Sequence, residues 1–193
     1  VGINLIDNKQ FKNCLIICSE TYTKYINKSD KVCMPIFSDG ASAVFFNQDS
    51  VPKMLSSFFL TDGHGAKNLR VVNNENKKNL FMHGANVFTF TAEKVPIATN
   101  YLLKKANLKI NDVKFFIFHQ ASAVVLETIK RKLEIPDEKF YYNIEFLGNT
   151  VSSTIPIALI KAEKENKIPK GEPMLLMGFG VGYSLCGGIF IFD

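Results

Sequence analysis

Two short motifs thirty positions apart carry side chains suited to chemistry: Phe118-His119-Gln120-Ala121 and Gly148-Asn149-Thr150. The first sets a histidine at the end of the apolar run Phe115-Phe116-Ile117-Phe118, and the second sets an asparagine between a glycine and a threonine, just ahead of a predicted helix. A neutral imidazole and an amide can both donate hydrogen bonds to an oxygen that gains negative charge. The pair therefore suits stabilisation of an enolate or oxyanion. His119 leaves a strand and enters a helix, so its side chain can face a pocket at the sheet edge. Each residue also has an ordinary structural use, His119 as a buried hydrogen-bonded ring and Asn149 as a turn or helix-entry residue. A third signal, Gly178-Phe179-Gly180-Val181-Gly182, could suggest a phosphate loop. No helix opening on Lys-Ser or Lys-Thr follows it, so a nucleotide site is set aside.

The elements that must hold these residues alternate between strand and helix. Apolar runs bounded by turn residues predict strands over 14–19, 41–47, 56–60, 115–118, 174–177 and 184–192. The last two can pair antiparallel through the glycine-rich turn. A long helix opens at Gly84 and places Val87, Phe88, Val95, Ala98, Leu102 and Ala106 on one face, with a kink or split expected at Pro96. A helix over 121–133 turns Ala121, Val124, Val125, Thr128 and Leu133 inward and Lys130-Arg131-Lys132 mostly outward. Another over 154–165 tolerates Pro156 in its first turn. The polar, Asn-rich stretch 70–78 reads as a surface loop.

From strand 56–60 onward the order describes one complete α/β unit: a mixed, mostly parallel sheet covered by helices. Residues 1–55 supply two strands and part of a helix, which cannot cover a sheet face alone. They read as the end of a second, similar unit, so the chain divides into 1–55 and 56–193.

Bulk properties narrow the class. The 193 residues are 47% hydrophobic and 21% charged, an ordinary soluble composition. No apolar run approaches the roughly 20 residues that span a bilayer, so no membrane segment is expected. Cys14, Cys18, Cys33 and Cys186 lack zinc-type spacing, so no metal site is expected, and free thiols fit a reducing, cytoplasmic compartment. The net charge of +5 is almost all lysine; it suits an acidic or phosphate-bearing partner and equally a solvated surface. No aromatic–basic interleaving points to nucleic acid. Val1 opens the chain without a charged, then apolar leader, so the sequence reads as a piece of a longer protein.

Taken together, five segments resemble the 3-oxoacyl-acyl-carrier-protein synthase III family, which has the thiolase fold. They are Phe37-Ser38-Asp39-Gly40-Ala41-Ser42-Ala43, Met82-His83-Gly84-Ala85-Asn86-Val87-Phe88, His119-Gln120-Ala121, Gly148-Asn149-Thr150 and Gly178 to Tyr183. The match runs in order along nearly the whole chain. Chalcone-synthase-like relatives carry a different sequence after the histidine, and thiolases lack the asparagine. The resemblance implies decarboxylative condensation of an acyl-coenzyme A primer with malonyl-acyl carrier protein, without a further cofactor. A cysteine takes the acyl group; a histidine and an asparagine help the malonyl thioester lose carbon dioxide.

Matched residue by residue, His119 and Asn149 fill the catalytic roles. The backbone N–H near Val181 forms half of a second oxyanion hole, and Phe88, Ala121 and Ser122 line the substrate arm. Ser122 and Val124 stand where many members carry Asn and Arg, and Val181 stands for a glycine. His64 and His83 are expected at the surface or pocket rim. The family's nucleophilic cysteine would precede Val1, so the chain alone is expected to be inactive. The whole protein is expected to be a homodimer that works with acyl carrier protein and acyl-coenzyme A. An acyltransferase of the same fold, without decarboxylation, is the alternative.

Overall fold

The pleat of the strand at 115–118 sets the architecture. In the computed structural model, which describes residues 1–74 and 77–192, this strand is buried along its whole length. Phe116 and Phe118 project into one core and Phe115 and Ile117 into another, as period-2 alternation requires. A strand apolar on both faces needs cover on both.

The chain supplies that cover in order. Helix α1 (Gly2–Asp7) leads into β1 (Asn13–Glu20), which pairs antiparallel with β2 (Gly40–Asn47) as a separate ribbon. Strand β3 (Lys53–Thr61) is followed by β4 (Leu69–Asn74), β5 (Lys77–Met82) and the 23-residue helix α2 (Gly84–Ala106). Then come β6 (Phe115–Phe118), α3 (Ala123–Leu133), the short α4 (Ile144–Leu147), α5 (Thr154–Lys164), β7 (Pro173–Gly180) and β8 (Ser184–Ile191). The central sheet has four strands in the order β3-β8-β7-β6. Val95, Ala98 and Leu102 of α2 and Leu126 and Ile129 of α3 pack on the Phe116/Phe118 face, and Ala158 and Ala162 of α5 on the other. Among the described residues no helix is long and apolar enough to cross a membrane.

Four expectations change. The sheet is mixed, but only β6–β7 is parallel; β3–β8 and β7–β8 are antiparallel, because the last strand returns through a tight turn. The stretch read as a loop over 70–78 belongs to the β4–β5 hairpin, anchored by buried Leu69 and Leu80, while residues 75 and 76 lie outside the described set. Of the residues expected inward on α3, Leu133 is buried and Val125 packs on the core beside Leu126 and Ile129, whereas Val124 is 66% exposed. The helix starts at Ala123 with Ser122 as its cap, which turns Val124 to the outside. Finally, α2 runs through Pro96 as one helix and is not split there. Proline removes the N–H that would bond the carbonyl four residues earlier. Here that carbonyl, Ala92 O, accepts from Lys132 Nζ of α3 at 2.9 Å, although Lys132 is itself exposed, as expected.

Candidate active site

His119 sits where β6 ends. Its backbone N–H donates to Met177 O on β7 at 2.8 Å, which extends the sheet by one more bond and fixes the Cα. Gln120, almost fully buried, locks the exit: its Nε2 donates to Phe118 O at 2.8 Å and its Oε1 accepts from Asn143 N at 3.0 Å. That structural task is why a polar residue is tolerated there. The imidazole Nδ1 lies 2.6 Å from Thr154 Oγ1, and the ring meets Phe179 edge-on at 5.2 Å. Burial pushes the His119 pKa down to about 4, because the charged form would lose its hydration. The ring is neutral at pH 7.

Asn149 is held from both ends of its side chain. Its Nδ2 donates to Ala121 O at 3.3 Å, and its Oδ1 accepts from Val151 N at 2.9 Å. The first bond places the amide beside the segment that follows His119. The backbone of Asn149 pairs in parallel with Phe37: Asn149 N donates to Ile36 O and Ser38 N donates to Asn149 O, each at 2.9 Å. Gly148 has φ +63° and passes so close to Ile36 O that a Cβ would lie 3.1 Å from it. Val151 also has positive φ, 55°. A β-branched residue there carries strain of about 1–3 kcal/mol, of the kind that collects at functional sites. The bend turns its N–H toward Asn149 Oδ1.

His119 and Asn149 open on one cavity of about 650 Å³. Phe88, Ala121, Ser122 and Val181 line it too, so all six sequence-assigned site residues meet there. Glu20, Tyr22 and Phe37 close it from the N-terminal part of the chain, while Phe59, Met82 and Phe90 add apolar wall. The Ser122 hydroxyl is engaged as the α3 cap, accepting from Val125 N at 3.4 Å. His83 caps α2 and His64 sits exposed beside Asp62. Cys186 of β8 is the one cysteine lining the cavity among the described residues. Cys33 is buried elsewhere, its thiol pushed up to about 12. No three His, Cys, Asp or Glu side chains converge as metal ligands among the described residues.

Thr154 was not legible as a site residue. It reads as an ordinary helix start, and its contact with His119 joins positions 35 apart.

A mixed sheet between two helical layers, with a histidine at the end of β6 and an asparagine on the loop before α5, defines a thiolase-like fold. Solved structures agree. The 3-oxoacyl-[acyl-carrier-protein] synthase III of Aquifex aeolicus superposes with a TM-score of 0.90 at 28% identity, covering 98% of this chain and 61% of that one. The enzyme of that name from Pseudomonas aeruginosa gives 0.90 at 24% identity, with 98% and 61% covered.

The family follows from sequence. The family model for 3-oxoacyl-[acyl-carrier-protein] synthase III matches residues 1–63, and the model for its C-terminal part matches 103–191. Beta-ketoacyl-[acyl-carrier-protein] synthase III 2 of Bacillus anthracis is 32% identical over 203 residues, covering all of this chain and 62% of the relative. Its Clostridium novyi counterpart is 33% identical, with 94% and 60% covered. The chain belongs to the 3-oxoacyl-acyl-carrier-protein synthase III family and spans about 60% of the length of these curated relatives.

Proposed function

We propose that the protein of which this chain is part condenses an acyl-coenzyme A primer with malonyl-acyl carrier protein, in fatty-acid or related acyl-chain synthesis. The observation that carries the reading is the convergence of two neutral, anchored donors, His119 and Asn149, on one cavity.

A cysteine thiolate attacks the primer thioester and releases coenzyme A. The malonyl thioester then binds in its place. As its carboxylate leaves as carbon dioxide, the electron pair of the breaking C–C bond moves into an enolate, and the thioester oxygen gains charge. Hydrogen bonds from a neutral imidazole and an amide lower that barrier without paying for a buried positive charge. The enolate carbon attacks the acyl-cysteine carbonyl, and collapse of the tetrahedral intermediate expels the thiolate and yields the 3-oxoacyl thioester. The Val181 backbone N–H is assigned to the acyl oxygen in that last step. Simple acyl transfer without decarboxylation leaves Asn149 with only its structural hydrogen bonds and no chemical task.

The nucleophile is assigned to a segment outside this chain. Cys186 reaches the cavity, but among the described residues its thiol has no hydrogen-bonded base; the His119 Nδ1 is occupied by Thr154.

In the full-length protein, His119→Ala and Asn149→Ala should each slow malonyl-carrier decarboxylation by about 100-fold or more, the scale of one lost oxyanion donor. Decarboxylation that survives both changes refutes the assignment. A 3-oxoacyl product made by the 193-residue chain alone would place the nucleophile among its own cysteines.

A further inference from the structure

The enolate-stabilising role asks one thing of His119 that neutrality does not guarantee: the proton must sit on the ring nitrogen that faces the cavity. A neutral imidazole carries one proton, on Nδ1 or on Nε2, and the hydrogen bond made by one nitrogen decides the state of the other. Nδ1 faces Thr154 Oγ1 at 2.6 Å, and Nε2 has no hydrogen-bond partner among the described residues.

The Thr154 hydroxyl has a single proton and two acceptors in reach. One is His119 Nδ1; the other is Val151 O at 3.1 Å. If the proton goes to Val151 O, Nδ1 must donate to Thr154, and Nε2 presents a lone pair to the cavity. Such a ring would repel a developing oxyanion. If the proton goes to Nδ1, Nε2 carries N–H into the cavity. Two observations at Val151 O separate these states, since the 2.6 Å contact to Nδ1 is the same in both: Val151 O already accepts the backbone N–H of Thr154, and at 3.1 Å it lies beyond the usual O–H···O distance. Thr154 is itself 3% exposed, so no solvent competes for its proton.

The geometry points to Thr154 as the positioning residue that donates to His119 Nδ1 and so sets the Nε2–H tautomer facing the cavity. The tautomer stands on geometry alone; its consequence for rate rests on the function proposed above.

Nitrogen-15 spectra of the histidine-labelled, substrate-free full-length protein, assigned with His119→Gln, test it directly. The expected spectrum shows a protonated Nε2 and an unprotonated, hydrogen-bonded Nδ1. In Thr154→Val the Nδ1 signal should shift to that of a nitrogen without a hydrogen-bond donor, while Thr154→Ser retains the wild-type pattern. Thr154→Ala carries the same comparison if the valine variant does not fold. In the decarboxylation assay, Thr154→Val should lose about tenfold in kcat at unchanged KM, the scale of one hydrogen bond, and Thr154→Ser should recover it. A wild-type ring protonated on Nδ1 overturns the proposal, and so does a valine variant with unchanged Nδ1 signal. If the spectra behave as expected but kcat does not move, the tautomer assignment stands and the donor role of His119 falls.

Discussion

His119 is a half-buried base that the fold holds uncharged, and this links the proposed chemistry to stability. Its native pKa is near 4 against an ordinary 6.5. Between those values the unfolded chain binds a proton that the native one does not. The contribution is therefore complete above pH 6.5 and is lost as pH falls toward 4, by roughly 3 kcal/mol at most. Urea midpoints measured from pH 8 to pH 4 should fall more steeply for the wild type than for His119→Gln. Parallel curves would mean that the ring is not held neutral by the fold. Asn149 needs no such linkage, because an amide does not titrate in this range, and both of its side-chain ends are tied. That these two residues share a cavity was legible from type and place. Thr154 was not, since nothing in a helix-opening threonine reveals which distant ring it touches.

Elements with clean periodicity could be read directly. The run 115–118 is a strand buried on both faces, and the helix over 154–164 begins where Gly148-Asn149-Thr150 suggested. The β4–β5 hairpin escaped because Asn and Lys dominate 73–78, and its two buried anchors, Leu69 and Leu80, sit outside that polar window. Pro96 misled for a different reason. Its effect depends on a partner for Ala92 O, and that partner comes from α3, 40 positions away. This predicts a coupling. Lys132→Met should destabilise the protein by about 1 kcal/mol by orphaning that carbonyl. In a Pro96→Ala background, where the helix supplies its own donor, the same change should cost much less. A double-mutant cycle by chemical denaturation measures the difference, and equal losses in both backgrounds would remove Lys132 from this role.

At the scale of the whole molecule, the β1–β2 ribbon meets the loop that bears Asn149. Ser152 Oγ donates to Glu20 Oε1 at 2.9 Å and Ser153 Oγ to Cys18 O at 3.3 Å. Gly40, at the start of β2, lies so close to Thr150 that a Cβ there would stand 2.8 Å from the threonine Cβ. Neither atom is on a flexible arm, so relief requires backbone movement. Gly40→Ala should destabilise by about 1–3 kcal/mol in thermal or urea unfolding, as overpacking does, and should slow decarboxylation by shifting Asn149. An alanine variant of unchanged stability would show that the interface yields freely. This contact could not be read from sequence, because a glycine in Ser38-Asp39-Gly40 already has a sufficient explanation as a turn residue.

The parallel bridge between Phe37 and Asn149 bears on how such a site could be moved. The amide takes its position from a segment more than a hundred residues upstream, through Ile36 O and Ser38 N. A designer who transplanted Gly148-Asn149-Thr150 into another α/β scaffold would carry over the functional group without its bearings. The smallest portable version of this site is discontinuous, with residues 36–38 travelling alongside the motif they hold.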